Sequence, residues 1–81
     1  MDNSIVVSLG ECIQVKRGKD RIIYAGMLSD EVFSIVQRKK TSNGSCAWNI
    51  FYPNKRGEIT IDGVQINVEN ITPAEIRLHI A

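Results

Sequence analysis

Apolar and polar residues alternate most regularly over the last third of the chain. Ile59 and Ile61 share one face of a segment at 58–62, and Val64, Ile66 and Val68 resume the pattern with Gln65, Asn67 and Glu69 opposite. A period of two puts such residues on the two sides of a strand. Between the runs stands Asp62-Gly63, a pair suited to the two positive-φ positions of a type I′ turn, so the sequence predicts a tight hairpin. Pro73 cannot donate to a ladder and marks a second turn at Ile71-Thr72-Pro73-Ala74. After it Ile76, Leu78 and Ile80 alternate with Glu75, Arg77 and His79. Three strands with one apolar face need a second layer.

The first half supplies candidates for that layer. Strands are expected at 4–9, with Ile5, Val7 and Leu9 on one face, and at 11–16, with Ile13 and Val15. At 21–28 the run Ile22-Ile23-Tyr24-Ala25 is apolar on both sides, as in a central strand, and Gly26 predicts a bulge or a close approach of another backbone. Ser29-Asp30-Glu31 would suit a helix start, but β-branched and aromatic residues dominate Val32-Phe33-Ser34-Ile35-Val36 and favour a strand through Gln37. The polar segment 38–45, with Asn43-Gly44 as turn former, reads as a loop dividing the chain. Beyond it Cys46, Trp48, Ile50 and Tyr52 alternate with Ala47, Asn49 and Phe51, which predicts a core position for Trp48. The expected fold is all-β, a small barrel or two-layer sandwich of about eight mostly antiparallel strands in a single domain, 1–81.

The order strand, Gly-Glu, strand, turn, strand, turn, strand occurs twice, in 4–37 and 46–81, with Gly10-Glu11 matching Gly57-Glu58. Glu31-Val32-Phe33-Ser34-Ile35-Val36 matches Glu75-Ile76-Arg77-Leu78-His79-Ile80, which sets Val32, Ser34 and Val36 against Ile76, Leu78 and Ile80. After Gly-Glu the apolar phase slips by one residue between the halves, and the loops that follow differ in length. A true repeat predicts a pseudo-twofold pair in which each half supplies the other's second layer.

These motifs carry a family resemblance. Leu9-Gly10-Glu11-Cys12-Ile13-Gln14-Val15, Ile22-Ile23-Tyr24-Ala25-Gly26 and Glu31-Val32-Phe33-Ser34-Ile35 resemble the strand order and Gly-Glu turn of the carbon storage regulator family. Lys55-Arg56-Gly57-Glu58-Ile59-Thr60-Ile61, Val64-Gln65-Ile66-Asn67-Val68 and Glu75-Ile76-Arg77-Leu78 resemble it a second time. The likeness spans most of the chain as two fused, shortened copies, whereas the family is a homodimer of single five-stranded copies. It implies a translational regulator that binds single-stranded GGA loops in messenger leaders. It also implies RNA contacts from basic residues just ahead of Gly-Glu and on the last strand of a copy. Lys55 and Arg56 fit the first position in the second copy, where the first copy has the uncharged Ser8-Leu9. Arg38, Lys39 and Lys40 follow the fourth strand of the first copy, near where the family's fifth strand would lie, and the second copy stops at Ala81. The matching positions thus imply one RNA-contacting edge rather than two.

Charge refines this expectation. Ten Lys and Arg against nine Asp and Glu give a net charge of +1 over 81 residues, too balanced to hold nucleic acid by bulk charge. The basic residues other than Arg77 nevertheless fall in three groups: Lys16-Arg17-Lys19-Arg21, Arg38-Lys39-Lys40 and Lys55-Arg56. If loops bring these groups together, they form a patch able to track a phosphate backbone, with Tyr24, Trp48, Phe51 or Tyr52 available for stacking. The bland alternative is that the cations solvate loops and edge strands while the aromatics fill the core. A second functional class fits the same small, near-neutral chain: a protein-interaction or assembly module pairing strand edges with a protein partner or a second copy.

Catalysis finds no foothold in the sequence. His79 is the sole histidine and has no nucleophile beside it in sequence, and Asp30-Glu31 and Glu58-Asp62 sit at turns, where acids cap or solvate. Arg17-Gly18-Lys19-Asp20 has a single glycine and no helix after it, unlike a phosphate loop. Cys12 and Cys46 are far apart with no metal-ligand spacing, so neither metal nor cofactor is expected and both thiols read as reduced packing residues, the alternative being a single bridge between them. The start of the chain lacks a basic region, and Ile5-Val6-Val7 is too short to span a membrane, so a soluble, cytoplasmic protein is expected.

Overall fold

Each run of alternating residues forms a strand, and the apolar faces meet in a two-layer sandwich. The computed structural model describes residues 4–55 and 57–80. Its eight strands are β1 (Ser4–Ser8), β2 (Cys12–Gln14), β3 (Arg21–Ser29), β4 (Val32–Thr41), β5 (Gly44–Pro53), β6 (Gly57–Ile61), β7 (Val64–Ile71) and β8 (Glu75–Ile80). They pair antiparallel in two separate four-stranded sheets, ordered β1-β8-β7-β6 and β2-β3-β4-β5. The sandwich is therefore the form adopted, and the sheets do not close into a barrel.

One core lies between the sheets. Val7, Ile61, Ile66, Val68, Ile76 and Leu78 enter it from the first sheet, and Ile22, Tyr24, Phe33 and Ile35 from the second. Inter-sheet hydrogen bonds fix the layers: the Tyr24 hydroxyl donates to the Thr72 carbonyl at 2.6 Å, and the Gly10 N–H, just past β1, donates to the Tyr24 carbonyl at 2.8 Å. Burial raises the pKa of the Tyr24 phenol, keeping that donor protonated. The Asp62-Gly63 hairpin has positive φ at both positions, 50° and 75°, as a type I′ turn requires. Gly26 fills the first of its expected roles, the bulge, and its closest neighbour is a side chain rather than another backbone. It follows a bulge in β3, has φ +93°, and a Cβ there would stand 3.1 Å from Leu9 Cδ1 and 3.8 Å from the Pro73 carbonyl oxygen.

The strand order is twofold. Replacing β1, β2, β3 and β4 by β5, β6, β7 and β8, and the reverse, converts one sheet order into the other. Each half gives its first strand to the other half's sheet: β1 pairs with β8, and β5 with β4. Bulges recur at matching places, after Tyr24 in β3 and after Val68 in β7.

Pairing corrects the sequence match in β4. Tyr24 opposes Ile35, and Val68 opposes Leu78, so Phe33, Ile35 and Gln37 are the counterparts of Ile76, Leu78 and Ile80. Val32, Ser34 and Val36 fall on the opposite side of the strand, although Ser34 is also buried. The polar segment 38–45 is likewise no loop. Arg38–Thr41 continues β4, Gly44-Ser45 opens β5, and only Ser42-Asn43 turns between them, in a hairpin arm whose residues are exposed on both faces. An arm solvated on both sides needs no apolar alternation, so its composition hides its strand geometry.

Candidate nucleic-acid interface

The hairpin arm and the β2–β3 connection enclose an open cleft of about 810 Å³. Lys19 and Arg21 line it from one side, and Arg38, Lys39 and Lys40 from the other; Asp20 is the single acid among the described lining residues. Two of the three basic groups thus meet, because β3 and β4 are paired neighbours and Arg21 stands directly opposite Arg38. Like charges directly opposed on paired strands repel.

Three polar contacts, two of them partly buried, hold the cleft in shape. The Asp20 backbone N–H donates to Asp62 Oδ2 at 3.0 Å, which fastens the β2–β3 connection to the β6–β7 turn of the other sheet. Asp20 Oδ2 in turn accepts from Gln37 Nε2 at 2.8 Å, and Gln37 is only 8% exposed. A buried amide is tolerable because this bond satisfies it. Asp20 therefore acts here as a local acceptor. Gln14 Nε2 adds a bond to the Lys19 carbonyl at 3.0 Å, which turns the connection back over β2.

The other expected contact residues lie elsewhere. Lys55 is exposed in the β5–β6 connection, beside a smaller cleft of about 330 Å³ lined by Tyr52, Gly57 and Glu58 among others. Ser45 and Pro53 stand near the two ends of β5. At about 3.3 Å per residue, the two clefts are roughly 26 Å apart along that strand. Arg56 lies outside the described residues. Lys16 and Arg17 are exposed in the β2–β3 connection but do not line the larger cleft.

No family model, curated protein or solved structure matches the chain.

The aromatic and thiol side chains depart from expectation. Trp48 is 42% exposed, not a core residue, because β5 is the sheet edge and the other layer does not cover its hairpin-side half. Phe51 is 55% exposed on the opposite face of the strand. Tyr24 is buried, and Tyr52 is half-buried against Phe33 with ring centroids 5.4 Å apart, which removes both from the candidates for base stacking. Cys12 and Cys46 are free thiols, as expected, but both are exposed and neither packs in the core. Cys12 sits on the short edge strand β2, and Cys46 on the uncovered arm, so position overrides the burial habit of free cysteine. Among the described residues no group of three or more His, Cys, Asp or Glu is placed to hold a metal ion. No described helix is long and apolar enough to cross a membrane.

Sequence reasoning placed Lys19 and Arg21 in a basic group but not among the RNA contacts beside Arg38, Lys39 and Lys40. A signal for Arg21 was present. It begins a strand whose antiparallel neighbour ends in Arg38-Lys39-Lys40, so a short β3–β4 turn forces the two cationic ends together.

Proposed function

We propose that this chain binds single-stranded RNA through the cleft formed by Lys19, Arg21, Arg38, Lys39 and Lys40, and acts as a post-transcriptional, translational regulator. The carrying observation is the meeting of two basic groups, distant in sequence, around one concavity whose rim opposes Arg21 to Arg38. Packing cations side by side costs stability in the free protein, and a polyanion offsets that cost. The resemblance to the carbon storage regulator family supplies the RNA class to try first, GGA loops in messenger leaders. Lys55, at the far end of β5, is a secondary contact on this reading.

The experiment is a titration of labelled GGA-hairpin RNA, and of a scrambled hairpin of equal length, over a series of salt concentrations. Binding should weaken linearly in log–log form, with a slope of about 0.7 per phosphate neutralised on a single strand. Replacing Lys39 or Lys40 with Gln should lower that slope by about one contact each. A titration flat at low salt with both hairpins would end the proposal. Equal binding of both would keep RNA and remove the GGA preference.

A further inference from the structure

Strand β5 is a sheet edge blunted only at its end, by Pro53. Native edges are kept short, charged, bulged or covered, because a free row of backbone donors and acceptors templates pairing with another chain. The other three described edges are shorter: β2 has three residues, β1 five, and β6 five with Glu58 among them. In contrast, β5 runs ten residues with no charged side chain and no register shift against β4. Trp48 and Phe51 are exposed on its two faces.

Hairpin closure settles which backbone groups are free. Thr41 and Gly44 are opposed across the two-residue turn, and such a closing pair exchanges hydrogen bonds. Alternation then directs the N–H and C=O of Cys46, Trp48 and Ile50 toward β4. Those of Ser45, Ala47, Asn49 and Phe51 point away from the sheet.

We infer that β5 pairs antiparallel with β5 of a second copy of this chain, about a twofold axis at Trp48. In that register Trp48 opposes its own counterpart, Ala47 opposes Asn49, Cys46 opposes Ile50, and Ser45 opposes Phe51. Each outward-facing residue gains a backbone partner. The two β2-β3-β4-β5 sheets become one continuous sheet.

Two features select a second copy as the occupant. Antiparallel pairing of identical strands is isologous, so it closes as a dimer instead of growing into a fibre. Charge placement agrees. Arg38, Lys39 and Lys40 oppose Ala47, Cys46 and Ser45 on β5, so their rows continue into Asn49, Ile50 and Phe51 of the second copy, then into its Val36, Ile35 and Ser34. No cation of one β4 shares a row with a cation of the other. A parallel arrangement would instead set the two basic arms side by side. This inference does not depend on RNA binding; of the described residues lining the larger cleft, only Ser45 lies in the paired stretch 45–51.

The test is sedimentation equilibrium of the full chain over a concentration series, together with two variants and a cross-link. The wild type should approach twice the 9.1 kDa chain mass. Ala47→Pro removes an outward N–H without touching the β4 ladder, and Phe51→Lys adds the missing edge charge; each should give a monomer with unchanged far-ultraviolet dichroism. If Ala47→Pro unfolds the chain, Phe51→Lys decides. Ile50→Cys sets a thiol opposite Cys46 of the other copy, so mild oxidation should yield a covalent dimer that disappears when Cys46→Ser is added. A monomer at every concentration, a dimer that survives Phe51→Lys, open-ended larger species, or no cross-link would each overturn the inference.

Discussion

Arg21 and Arg38 face each other on β3 and β4 at the mouth of the basic cleft. Opposed like charges cost about 0.2–1 kcal/mol relative to a neutral pair. Arg38→Thr should therefore stabilise the free protein by a few tenths of a kcal/mol, seen as a higher urea midpoint, while weakening RNA binding. Loss of stability together with loss of binding would show that Arg38 serves the fold. Gln37 works in the opposite sense. It occupies a core-side position as a polar residue because Asp20 accepts from its amide at 2.8 Å. Gln37→Ala should cost about 1–3 kcal/mol in chemical denaturation, since it leaves a partly buried carboxylate without its donor. Gln37 also explains why the core phase of β4 was hard to read. Val32, Ser34 and Val36 offer nearly as apolar a face as Phe33, Ile35 and Gln37, and only the bond to Asp20 makes the second set acceptable inside. Leu78, fully buried on β8, left no such ambiguity because Arg77 and His79 flank it.

At the scale of elements, period-two alternation located β1, β2 and β5 to β8, apolar runs and β-branched content located β3 and β4, and the Asp62-Gly63 dipeptide defined its turn. Two features depended on tertiary context. The arm at 38–45 is polar on both faces because it projects beyond the core, and a polar strand without burial looks like a loop. Trp48 alternates with apolar Cys46 and Ile50, yet alternation fixes only the side of the strand, and whether a layer covers that side depends on sheet order. Gly26 joins these elements through the β3 bulge and the close approach of Leu9. Gly26→Ala should cost more than about 1 kcal/mol, because φ +93° strains an L residue and the added Cβ meets Leu9 Cδ1 at 3.1 Å. A thermal midpoint equal to wild type would show that this connection repacks freely.

At the scale of the whole molecule, burial of two phenols links stability to alkaline pH. Burial raises the pKa of both Tyr24 and Tyr52 above the ordinary value of 10.0, so folding favours their neutral forms. The stabilisation is complete below the unfolded pKa and is lost as pH rises through the raised folded values. Tyrosinate absorbance and Trp48 fluorescence should thus change together above pH 10 in a cooperative unfolding step. A second consequence follows from the exchanged first strands. Cutting the chain in the exposed Ser42-Asn43 turn separates β1–β4 from β5–β8, and each piece keeps the ladders among its own strands. It nevertheless leaves β1 without β8, β5 without β4, and both core faces uncovered, although each piece retains three consecutive antiparallel strands. Such open three-stranded layers do not hide their apolar faces unaided. Separately prepared fragments should lack a cooperative thermal transition, and mixing should restore one with a midpoint at equal molar amounts, measured by dichroism and native mass spectrometry. Fragments that each melt cooperatively as monomers would mean that the halves are independent folding units and that the exchanged strands add little to the stability of either sheet.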